Sequence, residues 1–127
     1  MLKNKRPRVL TVVALLLWAP SLWAANNFQT LYDFTGAADG GGPTSLIFDQ
    51  MGNLYGTTVA GGDQFDFEGN GVVFKLAPNL DGSWTESVLL TFTLANGSFP
   101  AASLIFDKEG NLYGVARDIA RIFKMTE

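Results

Sequence analysis

Four oxygen-bearing side chains, Asp63, Asp66, Glu68 and Asn70, fall within one glycine-bounded loop at residues 61–71. Carboxylate and amide oxygens in a short loop are the donors that Ca²⁺ takes, so these four are the candidate metal ligands, with calcium the one cofactor to consider. Their spacing matches no standard calcium loop, and acidic residues among glycines also compose an ordinary solvated connection. A second set, Asp49 and Asp107, is the residue type that glycoside hydrolysis uses in pairs. Both return with the same neighbours in two copies of one segment, which points to a part of the fold rather than to catalysis. A third chemistry is stacking on sugar rings by loop aromatics. Phe65 and Phe67 are its candidates, and Trp84 and Phe99 lie beside other loops.

The 127 residues contain no histidine and no cysteine. Imidazole bases, Ser-His-Asp triads, histidine- or thiolate-ligated metals, disulfides and a lipid-modified cysteine are therefore all excluded within them. What is left for chemistry is carboxylates, hydroxyls, Lys, Arg and Tyr. No catalytic residue can be assigned on that basis.

The start of the chain belongs to a different physical regime. Lys3, Lys5, Arg6 and Arg8 precede an apolar run at residues 9–18, followed by Pro20 and the small residues Ala24 and Ala25. That order reads as a secretory signal over residues 1–24, cleaved near Ala24, and its apolar core is shorter than the ~20 residues that span a bilayer. The expected address is periplasmic or extracellular, with no stable membrane insertion once the signal is removed. Without that segment, five basic face twelve acidic side chains, a net of −7. Such a surface repels phosphate backbones, so a nucleic-acid partner is not expected.

Residues 45–56, SLIFDQMGNLYG, return at 103–114 as SLIFDKEGNLYG, identical at ten of twelve positions and displaced by 58. The chain is therefore a repeat, with unit 1 at about 36–93 and unit 2 at about 94–127 of a domain spanning 25–127. Each unit carries a turn signal. Asp49 and Asp107 can accept backbone N–H bonds, Gly52 and Gly110 follow at a spacing that suits the left-handed region, and Asn53 and Asn111 lead into Leu-Tyr-Gly. Asp81-Gly82 marks a further hairpin.

Short apolar runs punctuated by Gly, Asn, Asp and Pro predict an all-β chain. Eight strands are expected, at 28–34, 45–49, 53–58, 72–76, 84–92, 103–107, 111–116 and 121–125. Several are apolar at consecutive positions, as at Leu46-Ile47-Phe48 and Val88-Leu89-Leu90, which requires both faces of a sheet to be covered. Stacked small sheets, as in a β-propeller, meet that requirement. Leu31, Phe34 and Thr35 match Leu89, Phe92 and Thr93 at the same offset of 58, so residues 28–34 correspond to the last strand of a unit. The expected architecture is thus about two four-stranded units, with strand 28–34 pairing near residues 121–125 in the same chain or a neighbour. Such a partial propeller either stays open or is completed by oligomerisation.

Phe34-Thr35-Gly36, Asp39-Gly40, residues 46–58 and residues 71–76, with residues 104–114 and Phe123-Lys124 in the second unit, resemble the GloVer tandem repeat of exported bacterial proteins. The resemblance covers essentially all of the chain after the signal. It implies a propeller-like repeat without established activity, and supplies no catalytic residues. Unit 2 departs from the pattern at Val115-Ala116, where unit 1 has Thr57-Thr58, and it lacks nine residues of the loop before Phe123. In a bacterial chain the string Asn96-Gly97-Ser98 reads as a turn rather than a glycosylation acceptor.

The expected function is an exported, non-catalytic binding or surface-scaffold module. Its partners would be copies of itself, further repeat units, or a glycan. The alternatives are a carbohydrate-binding lectin of two-unit subunits and a carboxylate-dependent hydrolase or lactonase.

Overall fold

The computed structural model describes residues 28–62, 69–100, 102–117 and 120–126. Among them are seven strands and no helix: β1 (Gly41–Phe48), β2 (Leu54–Ala60), β3 (Val72–Pro78), β4 (Trp84–Thr91), β5 (Ile105–Phe106), β6 (Leu112–Ala116) and β7 (Arg121–Met125). They make two antiparallel meanders, one ordered β1-β2-β3-β4 and the other β5-β6-β7. The sheets stack face to face without closing, an all-β arrangement consistent with a partial propeller-like repeat.

The alternation of residues along β2 and β3 explains the stacking, because successive side chains point to opposite faces. Leu54, Val72, Phe74 and Leu76 share one face and form a buried cluster with Leu31, Tyr32, Phe34 and Trp84. Tyr55 and Val73 share the other and join Phe92, Leu104, Leu112 and Ala116 in the core between the sheets. The consecutive apolar residues of β4 have a local cause. Val73 pairs with Leu90 but Phe74 with Val88, so Leu89 is an extra residue in a bulge, and Leu89 and Leu90 both pack on the inter-sheet core.

Residues 28–35 form no strand, contrary to the sequence expectation, and the second sheet has three strands rather than four. Nor do residues 28–34 pair with β7 within the chain, since among the described residues β7 bonds only to β6. The repeat alignment nevertheless holds in three dimensions. Phe34 packs on Phe74 with ring centroids 4.8 Å apart, as its counterpart Phe92 packs on Phe123 at 5.4 Å. The residues before Phe92 are a strand because β3 supplies a partner ladder. Those before Phe34 have no such neighbour and stay irregular, their side chains still packed on the sheet.

Unit 2 is also shortened at its first strand. β1 runs for eight residues against β2, with a bulge between Pro43 and Ser45. The matching stretch of unit 2 has one more residue between Pro100 and Ser103. Among the described residues, only the isolated Pro100–Ala116 bridge and the two-residue β5 remain of that ladder.

Candidate functional site

The repeated acidic residues organise the ends of the hairpins. Asp49 Oδ1 accepts the N–H groups of Met51 and Asn53, each at 2.8 Å, and Oδ2 accepts Asn53 Nδ2 at 2.7 Å. Asp107 repeats the arrangement with Glu109 and Asn111 N–H at 3.1 and 2.8 Å and Asn111 Nδ2 at 2.7 Å, and adds the Tyr113 hydroxyl at 2.9 Å. Gly52 and Gly110 close these turns at φ 86° and 85°. Burial raises the Asp107 carboxyl, but the bonds from Asn111, Tyr113 and Glu109 outweigh it and hold the group at about 2. At Asp49, burial is likewise outweighed, here by Asn53, Met51 and the Lys75 charge, and the carboxyl lies below its ordinary value. A carboxylate whose lone pairs are filled this way is a poor proton acceptor for a substrate.

In an antiparallel meander alternate connections lie at the same end, so both turns share one rim, and a groove opens between them there. It measures about 470 Å³ and is lined by Phe48, Asp49, Gln50 and Met51 from one turn, Phe106, Lys108, Glu109 and Gly110 from the other, and Tyr55 between them. Tyr55 stands edge-on to Phe106 at 5.0 Å, and an apolar cleft of about 150 Å³ adjoins it beside Leu89, Leu112 and Met125. Lys75 Nζ lies over the same Tyr55 ring, 5.2 Å from its centroid, a cation–π contact. The groove is thus a seam with aromatic walls and a polar rim.

A second polar cluster escaped the sequence reading. The Tyr32 hydroxyl donates to Asp39 Oδ2 at 3.1 Å, and Thr35 donates its N–H to Oδ2 at 2.9 Å and its hydroxyl to Oδ1 at 2.5 Å. Burial opposes the Asp39 charge, but the Thr35 and Tyr32 bonds prevail and lower its carboxyl. Glu86, on β4, has a buried Oε1 without a hydrogen-bond partner among the described residues. Burial, then the Asp39 charge, pushes Glu86 up to about 7. Burial and the Asp39 bond push the Tyr32 hydroxyl up to about 12. The motif Phe-Thr-Gly-x-x-Asp-Gly marks Asp39 in the sequence. Glu86 is one polar residue on a strand, and nothing in its neighbours signals a charge 47 positions away.

Of the candidate metal ligands, Asp63, Asp66 and Glu68 lie outside the described residues, as do Phe65 and Phe67, while the Asn70 carbonyl accepts the Phe99 N–H at 3.1 Å. Residues 1–24, which the sequence reading expects to be a signal, also lie outside them. Trp84 packs, like Phe34, against the buried cluster of Leu54, Val72, Phe74 and Leu76, and Phe99 is half exposed at φ 51°, the left-handed region unusual for an aromatic residue. Asn96 closes the link between the sheets. Its Oδ1 accepts the Thr93 N–H at 2.6 Å and its Nδ2 donates to the Thr91 carbonyl at 3.2 Å, with Ser98 buried beside it.

Comparison with known proteins agrees with this repeat geometry. No curated protein matches the chain. The family profile described as the Gloeobacter/Verrucomicrobia repeat matches residues 20–126, and the chain belongs to that family.

Proposed function

We propose that the chain is an exported, non-catalytic repeat module that serves as a binding or surface-scaffold unit. The observation that carries this reading is the fate of Asp49 and Asp107. The acidic residues that recur with the repeat are bonded into turns, where they hold strands rather than face a substrate. Export rests on the order of charge and hydropathy in residues 1–24. The purified chain should turn over neither glycoside nor ester nor lactone substrates above buffer. Turnover that disappears in Glu86→Gln or Asp39→Asn would overturn the non-catalytic reading and point to the acidic cluster. Mass spectrometry of material recovered outside the cytoplasm should find an N-terminus near Ala25. Intact Met1 in a membrane fraction would overturn export as a processed protein.

A second reading, carbohydrate binding, is favoured by the groove between the turns. Phe48 and Phe106 offer apolar faces there, and Gln50, Lys108 and Glu109 offer hydrogen-bonding groups at the rim. A glycan array tests it, with Phe48→Ala as the control that should abolish any specific signal.

A further inference from the structure

The buried cluster on the outer face of the first sheet is the inter-sheet core with one side removed. Leu104 and Phe106 of the second sheet are covered by Tyr55, Val73 and Ile47 of the first. Their counterparts 58 residues earlier, Leu46 and Phe48, are 58% and 62% exposed, whereas Leu104 is 2% exposed. The opposite end of the stack shows the complementary defect. Ile105 and Ile122, which correspond to the covering residues Ile47 and Val73, are 60% and 75% exposed. One end of the chain thus lacks the surface that the other end displays.

A backbone feature points the same way independently. β4 pairs with β3 and delivers Phe92 onto the next sheet. Residues 28–33 deliver Phe34 onto the first sheet in the same way but, among the described residues, have no ladder, while β7 bonds there only to β6. Transferring the β3–β4 register, in which Val72 faces Thr91, sets Arg121 opposite Asp33, an attractive cross-strand pair.

We propose that a second copy of this chain occupies the exposed face, head to tail. The second sheet of one copy seats on the first sheet of the next, and residues 28–33 of the next copy add a fourth strand to β7. The existing inter-sheet contact is the template. Tyr113 of one copy then meets Phe48 of the next as Tyr55 meets Phe106 within the chain. The contact is heterologous, so the two surfaces are different and each copy offers one of each. Shape, apolar character and the Asp33–Arg121 charges select a second copy over an unrelated protein, because each copy already displays the surface that the other's exposed face lacks.

Sedimentation velocity on the full chain, purified as the expression host leaves it, tests the proposal. The wild type should associate with rising concentration. Leu46→Glu blocks one surface and Ile122→Glu the other. Both residues are exposed, so the variants should fold with unchanged far-ultraviolet circular dichroism. Each variant alone should associate about tenfold or more weakly in dissociation constant. An equimolar mixture should form a one-to-one pair, because the intact surface of one variant matches the intact surface of the other. Asp33→Arg and Arg121→Asp should each weaken association, and the double exchange should restore it. A wild type that stays monomeric from micromolar to millimolar concentration overturns the proposal. So does either blocked variant self-associating like the wild type, or a mixture that remains monomeric.

Discussion

Phe92 stands edge-on to Phe123 with ring centroids 5.4 Å apart and planes at 67°, although Phe92 follows the last strand of the first sheet and Phe123 lies in β7 of the second. The last residues of one unit are thus part of the core of the next, and Gly114 leaves the room Phe123 needs, since a Cβ there would collide with the Phe123 ring. Phe92→Ala is expected to destabilise the chain by about 3 to 4 kcal/mol, near the ordinary cost of emptying a buried phenylalanine site. Phe34→Ala should cost about half as much, because Phe34 is only partly buried. Urea midpoints measured with a common slope check the ranking.

Two kinds of glycine should respond to opposite substitutions. Gly52 is at φ 86° with nothing within 4 Å of the position of a Cβ, so backbone conformation alone restricts it. Gly52→Asn should be tolerated within about 1 kcal/mol, while Gly52→Val should cost about 1 to 3 kcal/mol. Gly56 has no such φ, yet a Cβ would stand 2.5 Å from Phe74 and from the Ser45 carbonyl. Gly56→Ala should therefore cost about 1 to 3 kcal/mol through overpacking. Thermal denaturation of the three variants separates the two mechanisms.

Thr58 completes a ladder that the backbone leaves open. Its hydroxyl accepts the buried Val72 N–H at 3.0 Å and donates to the Ala60 carbonyl at 2.9 Å. Thr58→Ala should cost about 1 to 3 kcal/mol by leaving that N–H unpaired. Hydrogen exchange at Val72 should accelerate in the variant, and unchanged protection would show that another acceptor takes over.

Acid and alkaline limbs of stability should have different owners. Asp107 is lowered to about 2 in the fold, so what it contributes is present above its ordinary 3.8 and is lost as the pH falls toward 2. Glu86 is raised to about 7, so its contribution is complete below 4.5 and is lost as the pH rises through 7. Glu86→Gln should stabilise the chain at about pH 8 by roughly 1 kcal/mol, after discounting for exposure, and should change little near pH 4. Calorimetric melting temperatures across this range check the sign.

The turns were legible because their determinants are local. Asp, Gly and Asn at fixed spacing specify a hairpin whatever surrounds it, and the structure builds Asp49 and Asp107 into the same bonds. Strand identity at residues 28–34 was not legible, since a strand exists only where a partner's N–H and C=O groups meet it. The corresponding positions before Phe92 form β4 because β3 is there. The departure at Val115-Ala116 also has a local cause. β6 and β7 are joined closely and pair through Ala116 and Arg121, whereas the long connection in unit 1 requires the Thr58 hydroxyl. The Asp39 charge reaches Glu86 only through folding, which no spacing rule in one strand can show.

The groove between Phe48 and Phe106 belongs to a seam and not to either unit. A seat made this way is multiplied by stacking. Head-to-tail contact would add, at each junction between copies, a groove built from the same turn positions as the one within each chain. The number of seats then grows with assembly size faster than the number of free chains does, and weak recognition at one seam becomes tight adhesion across many. Whether the array ends as a ring or continues as a fibre follows from the rotation between neighbouring sheets.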